Sequence, residues 1–152
     1  MEMLLFDEVG EAVRSLVPAE LGEIRCRAHR YGLKVWFGSE KPAREHYEAQ
    51  VIGARDVPEA EVLAIEVGFH AENPNPDDND KTLATLLKKE RGWRKTLGRE
   101  AVAGAFLGRA DDWTRISETW PDPDLGDPDL PMELALRLAD YVIALEPVRR
   151  DG

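Results

Sequence analysis

The stretch 61-EVLAIEVGFHAE-72 decides the fold prediction, because apolar and polar residues alternate along it. One parity carries the apolar side chains Leu63, Ile65, Val67, Phe69 and Ala71. A repeat of two is the period of a β-strand, whose successive side chains point to opposite faces of a sheet. The stretch therefore predicts a strand with one apolar face, and with Glu66, His70 and Glu72 on the other.

Three earlier stretches repeat this alternation and extend the predicted sheet. They cover residues 24–28, 33–37 and 45–52, and the first two meet at a turn near Tyr31 and Gly32. Consecutive strands with short connections favour an antiparallel meander. A later stretch over 111–120 contains Trp and Thr residues that suit a sheet, so it predicts a further strand.

Helices are predicted at both ends of the chain. Residues 2–17 place apolar side chains at helical spacing, and Pro18 ends the pattern. Pro131 is well placed to open a final helix with an apolar stripe, since proline is tolerated in the first helical turn. This helix is expected to stop before Pro147, because proline inside a helix removes a hydrogen bond.

Two more helices are predicted after the fourth strand. One follows Asn79 and Asp80, either of which suits a helix cap, and a short one covers residues 99–108. The sequence thus predicts an α+β fold in a single domain, residues 1–152. Its antiparallel meander has four to five strands, helices pack on one face, and N- and C-terminal helices complete it.

The composition argues against several functional classes. A net charge of -10 makes the chain repel polyanions, so nucleic-acid binding is not expected. No run approaches the roughly 20 apolar residues that cross a bilayer, so no membrane partner is expected. The single Cys26 fits a reducing cytoplasm, and the excess of Arg over Lys suggests a bacterial source.

The polar face of the predicted sheet collects all three histidines and is the candidate site. Its candidate ligand-binding residues are Arg27, His29, Trp36, His46, Glu48, Gln50, Glu66, His70 and Glu72. Mixed imidazole and carboxylate donors suit zinc, manganese or iron. The candidate metal ligands are His46, Glu48, Glu66 and His70. Solvated polar surface and cross-strand His/Glu pairs are the alternatives, and apart from a metal ion no cofactor is expected.

A second candidate site is basic. Between residues 81 and 99 there are seven basic side chains against one acidic side chain. The candidate anion-binding residues are Lys88, Lys89, Arg91, Arg94 and Lys95. Such a run is also typical of plain solvated surface. No nucleophile elbow, phosphate-binding loop or dinucleotide-binding motif is present in the sequence.

These observations favour a non-enzymatic protein-interaction or regulatory domain, with a protein partner or a second copy of itself as its ligand. The order of predicted elements is similar to that of type III secretion chaperone-like and YbjN-like proteins. That resemblance implies binding to other proteins and assigns no functional residue. The alternative is a metal-assisted hydrolase or a small polar-ligand-binding protein that uses the His/Glu face, so enzymatic activity stays open.

Overall fold

The fold is a six-stranded antiparallel sheet with α-helices packed on one face. A computed structural model describes residues 4–152, and of residues 109–111 the backbone alone. The strands are β1 (Ile24–His29), β2 (Gly32–Phe37), β3 (Glu45–Gly53), β4 (Leu63–Ala71), β5 (Val102–Phe106) and β6 (Arg109–Pro121). The helices are α1 (Leu5–Leu16), α2 (Pro76–Leu87), α3 (Glu90–Leu97) and α4 (Leu130–Asp151).

The strand order is β1-β2-β3-β4-β6-β5. The first four strands form the predicted meander, after which the chain passes through α2 and α3 and returns as a hairpin whose second strand pairs with β4. The prediction of an antiparallel α+β fold is confirmed, with six strands in place of four to five. The predicted helix over 99–108 is wrong, because pairing of β5 with β6 overrides the helical preference of its alanines.

The apolar parity of the central strands faces the helices, as predicted. In β4, Ile65, Val67 and Phe69 are buried in the core. The buried stripe of α4 packs in the same core and includes Leu134, Leu138, Tyr141, Val142 and Leu145. No helix among residues 4–152 has both the length and the apolar character that a membrane span requires.

The first turn of α2 differs from the prediction. The helix begins at Pro76, and the Asn75 side chain caps it by accepting a hydrogen bond of 3.0 Å from the Asp77 backbone N–H. Capping by Asn79 or Asp80 is therefore wrong. Asn79 is instead fully buried and donates to the backbone carbonyls of Asn73 and Asp112 at 3.0 and 2.7 Å. Asn79 therefore connects β6 with the segment that comes after β4.

The last helix continues through Pro147, where the sequence predicts a stop. Glu146, which is fully buried, supports this turn by accepting hydrogen bonds from Arg149 and Arg150 at 2.8–2.9 Å. It also accepts one of 2.9 Å from the Tyr47 hydroxyl of β3. These bonds hold the helix end onto the sheet and offset the hydrogen bond that proline removes.

Replacing Glu146 with Gln is expected to lower the free energy of unfolding by about 2–3 kcal/mol at neutral pH, because two guanidinium groups lose their carboxylate. Burial raises the pKa of Glu146, but Arg149, Arg150 and Tyr47 lower it by more than burial raises it. The net pKa therefore lies below its ordinary value of 4.5. The ionised Glu146 carboxylate therefore contributes its full stabilisation above pH 4.5. That contribution is lost as the pH falls through the pKa of the folded state.

The difference between the wild type and Glu146→Gln should therefore shrink as the medium is acidified. Urea unfolding at a series of pH values measures it. Glu133→Gln, on an exposed position of the same helix, is the matched control and should change the free energy of unfolding by no more than about 0.5 kcal/mol at neutral pH. A gap that stays constant down to about pH 3 would show that the Glu146 charge does not matter.

Candidate metal centre

The pairing of β3 with β4 places two histidines face to face. His46 lies directly opposite His70 in the antiparallel register. Each histidine is followed two residues later by a glutamate, Glu48 in β3 and Glu72 just beyond β4. Because the strands run in opposite directions, the two carboxylates lie on opposite sides of the histidine pair. The four side chains converge on one small volume.

One oxygen of each carboxylate in this cluster contacts both imidazoles. Glu48 Oε1 lies 2.9 Å from His46 Nε2 and 3.3 Å from His70 Nδ1. Glu72 Oε2 lies 3.4 Å from His46 Nε2 and 3.2 Å from His70 Nδ1. All four atoms lie within 4.8 Å of one another. Four donors on a zinc ion with bonds of about 2.0–2.1 Å would be about 3.3–3.4 Å apart, which is close to the observed separations.

The outer nitrogen of each histidine is hydrogen-bonded, which fixes the ring orientation. His46 Nδ1 donates to the Ala43 carbonyl at 2.8 Å. His70 Nε2 donates to the Glu66 carboxylate at 2.7 and 2.9 Å, and Gln50 donates to the same carboxylate at 2.9 Å. In a neutral imidazole that donates through its outer nitrogen, the nitrogen that faces the cluster carries the lone pair; His46 Nε2 also lies at hydrogen-bond distance, 2.9 Å, from Glu48 Oε1. Outer partners of this kind are typical of metal-bound histidines.

The inner nitrogen of His70 is left without a hydrogen bond. Its Nδ1 is buried and has no hydrogen-bond partner among the described residues, although two carboxylate oxygens lie 3.2–3.3 Å away. Neither contact has hydrogen-bond geometry, so the carboxylates do not satisfy this nitrogen by themselves. A buried polar atom without a partner is costly. A cation held between the imidazole and the two carboxylates would satisfy it.

The ionisation of the cluster follows from its burial and its opposite charges. Burial by itself lowers the pKa of His46, but Glu48 and Glu72 raise it above the ordinary value. Burial also lowers the pKa of His70, but Glu66, Glu48 and Glu72 raise it well above that value. Burial raises the pKa of Glu48, and the two imidazoles lower it to about 2. The pKa of Glu72 is lowered by the same imidazoles against the effect of burial. The carboxylates are therefore ionised at neutral pH.

The part of the polar face that carries the cluster is buried, whereas solvated surface was one of the alternatives predicted from the sequence. His46, Glu48, Glu66 and His70 are at most 5% exposed. The Phe106 ring packs edge-on against His70, with centroids 4.6 Å apart, and contacts Trp113 as well. The pairing of β5 with β6 shifts register beside Phe106. Such an irregularity bends a strand out of the plane of its sheet. The interpretation as solvated surface is wrong for these four residues.

The structure brings together part of the predicted ligand-binding set. Gln50 and Glu66 lie beside the cluster, and Trp36 is buried with its indole N–H bonded to the Ser39 carbonyl at 2.8 Å. Arg27 and His29 lie on exposed positions of β1, away from the cluster. The predicted metal set contains three of the four convergent residues. Glu72 takes the place predicted for Glu66, which supports His70 from behind.

The predicted basic site is not one continuous helical surface. Lys88 and Lys89 lie between α2 and α3, and Arg91 and Lys95 are exposed on α3. Arg94 is directed toward its own helix end, where it donates hydrogen bonds to the Glu90 carboxylate at 2.7 Å and to two backbone carbonyls. Four exposed cations remain, of which Lys88 and Lys89 line a cavity of about 470 Å³ that Arg91 and Lys95 do not line.

Sequence reasoning missed the symmetry of the cluster. The signal was the repeated His-x-Glu pattern, His46-Tyr47-Glu48 and His70-Ala71-Glu72. It also missed the buried Arg115 of β6, which shares the polar parity and lies opposite His70. No protein-family model, curated protein or solved structure matches the chain.

Proposed function

We propose that this protein binds one divalent transition metal ion of the zinc class through His46, Glu48, His70 and Glu72, and that the ion stabilises the sheet. The observation that carries the proposal is the buried His70 Nδ1, which lacks a hydrogen bond and faces two carboxylate oxygens. The outer hydrogen bonds of both histidines support it, because in neutral rings they direct the inner lone pairs toward the cluster, where an ion would replace the hydrogen bond between His46 Nε2 and Glu48.

The competing interpretation is a cluster of ion pairs without a metal. It requires both imidazoles to be protonated, with ring centroids 5.5 Å apart inside the protein. Like charges at that separation repel and burial opposes both of them, whereas the surrounding glutamates raise the pKa of both imidazoles above the ordinary value, so the choice between the two interpretations rests on geometry. It also leaves the His70 Nδ1 proton without a directed acceptor. A single divalent cation replaces two protons and contacts all four donors at once.

A structural role follows from the number of protein donors. Structural zinc sites are filled by four protein ligands, whereas catalytic sites keep one position open for water or substrate. Here four side chains supply one donor atom each. They lie on or next to β3 and β4, so the ion would join the two central strands. This supports a non-enzymatic protein over a metal-assisted hydrolase. A protein partner or homodimer stays a prediction.

Titration of chelator-treated protein with Co²⁺ tests the proposal, because the visible absorption of Co²⁺ reports its coordination. We expect one equivalent to bind with the strong bands of a tetrahedral complex, and Zn²⁺ to displace it. Weak octahedral-type bands at one equivalent would instead indicate open positions and favour the hydrolase. The absence of saturable binding of both ions would overturn the proposal.

The three histidines offer matched variants. His46→Gln and His70→Gln are each expected to abolish stoichiometric binding, whereas His29→Gln should leave it unchanged because His29 lies outside the cluster. Zinc at 100 times its dissociation constant should add about 2.7 kcal/mol to the stability of the wild type. For a chain of this size that raises the melting temperature by about 5–10 °C. Equal shifts in all four proteins would argue against this site.

A further inference from the structure

A second site is indicated on the same face, at Arg115 of β6. This is the one arginine among the described side chains that is buried, with 8% of its surface exposed. It lies opposite His70 on β4 and opposite Gly104 on β5. Arg115 therefore lies between β4 and the edge strand β5, and its Nη2 is not among the buried polar atoms that lack a partner, so that end of the guanidinium is accessible to solvent.

The hydrogen bonds of Arg115 all go to neutral acceptors. Nε donates to the Ala105 carbonyl at 3.3 Å, and Nη1 donates to the carbonyl and hydroxyl of Ser117 at 3.2 and 3.0 Å. Among the described residues, Nη2 has no hydrogen-bond acceptor, and no carboxylate forms an ion pair with this guanidinium. These contacts orient the group but do not neutralise it.

Other partly buried arginines have a carboxylate partner. Arg94 pairs with Glu90 at 2.7 Å, Arg137 with Glu118 at 2.7 Å, and Arg149 with a buried glutamate at 2.8 Å. The acid that acts on Arg115 through space is Glu66, but Glu66 already accepts from His70 and Gln50. Burial lowers the pKa of Arg115, and Glu66 offsets part of that effect. Among the described residues, Arg115 lacks the paired carboxylate that these other arginines have, and its accessible Nη2 is open to an external anion.

Arg115 lines a cavity of about 360 Å³, within the size range of small-ligand sites. Half of the lining is apolar, formed by Val57, Pro58, Val102, Leu107 and Pro121. Thr119, on the same strand as Arg115, adds a hydroxyl to the lining. The exposed side chains of Asp56, Glu59 and Glu100 also line it and carry negative charge. The cavity thus combines a buried cation, apolar walls and an acidic exposed part.

We propose that this cavity binds a small zwitterionic carboxylate, specifically an α-amino acid with an apolar side chain. The carboxylate pairs with Nη2 of the Arg115 guanidinium, which has no acceptor among the described residues, through a charge-assisted hydrogen bond. The apolar side chain lies against the valine, leucine and proline walls. The ammonium group lies toward the exposed acids, which repel phosphate and other polyanions. The site is separate from the metal cluster and does not depend on a bound metal.

Methyl-group NMR of the intact chain tests this proposal, with L-valine and L-leucine as probes. We expect saturable shifts at the methyl groups of Val57, Val102 and Leu107, which line the cavity, and none at the exposed Leu136. 3-Methylbutanoate lacks the ammonium group and should bind more weakly. Isobutylamine lacks the carboxylate and should bind at least about tenfold more weakly than L-valine. Inorganic phosphate should not shift these methyl groups.

Arg115→Met keeps the length of the side chain and removes its charge, and it is expected to weaken L-valine binding at least about tenfold. Arg27→Met, on an exposed position of β1, is the control and should bind as the wild type does. No saturable shift by either amino acid, equal binding of isobutylamine, or full binding by Arg115→Met would each overturn the proposal. If Arg115→Met fails to fold, the comparison of L-valine with isobutylamine in the wild type still decides.

Discussion

Alanine at position 68 is expected to destabilise the protein by about 3 kcal/mol or more, the largest effect of any single methyl addition that the structure suggests. Gly68 has φ +154°, which favours glycine. A Cβ there would lie 2.4 Å from the Ile116 carbonyl oxygen and 2.5 Å from Ser117 Cα. These are backbone atoms of the paired strand β6, so they cannot rotate away. The change should force β4 and β6 apart.

Urea unfolding followed by tryptophan fluorescence measures this effect. The control is Gly92→Ala in α3, where an added Cβ meets no heavy atom within 4 Å. That substitution should stabilise the protein by about 0.5–1 kcal/mol, because alanine is the better helix former. A loss below about 1 kcal/mol for Gly68→Ala would show that the two strands are less tightly packed than the structure indicates.

Replacing Glu66 with Gln is expected to weaken metal binding by about 10- to 100-fold, the range found when the outer partner of a metal-bound histidine is changed. Glu66 does not reach the ion in our proposal. It accepts the Nε2 proton of His70 and so increases the electron density on Nδ1. Gln keeps the size of the side chain and one acceptor oxygen, but it removes the negative charge that polarises the ring.

Competition between the protein and a coloured zinc chelator measures this affinity. Glu61→Gln is the matched control, because Glu61 is an exposed glutamate that precedes the same strand. Its zinc affinity should equal that of the wild type. If Glu66→Gln also equals the wild type, then Glu66 is part of the packing and has no influence on the metal.

The alternation in β4 was sufficient to predict which side chains share the candidate site. A strand has a period of two, so the inward position of Phe69 places Glu66, His70 and Glu72 on the other face. Parity does not distinguish Glu66 from Glu72, because both lie on that face. The choice depends on register. His46 opposite His70 brings in Glu72, whereas Glu66 lies opposite Gln50.

The cover over the site could not be predicted from local sequence. Residues 99–108 contain three alanines, which favour a helix, and nothing within that stretch indicates the partner strand. Pairing of β5 with β6 is a tertiary contact, and it brings Phe106 onto His70. The burial of the polar face follows from that contact. The sequence also does not predict that Arg115 lacks a carboxylate partner among the described side chains, because any acidic residue in the chain could have been that partner.

All four proposed metal donors lie between residues 46 and 72, on a single hairpin and the residue after it. The covering hairpin and the terminal helix come later in the chain. Contacts between residues that are close in sequence form fastest, because little chain entropy is lost on closing the loop. During synthesis, the growing polypeptide could therefore chelate its ion before the C-terminal half has left the ribosome. Zinc uptake would then act as an early folding event, onto which the remaining strands and helices assemble.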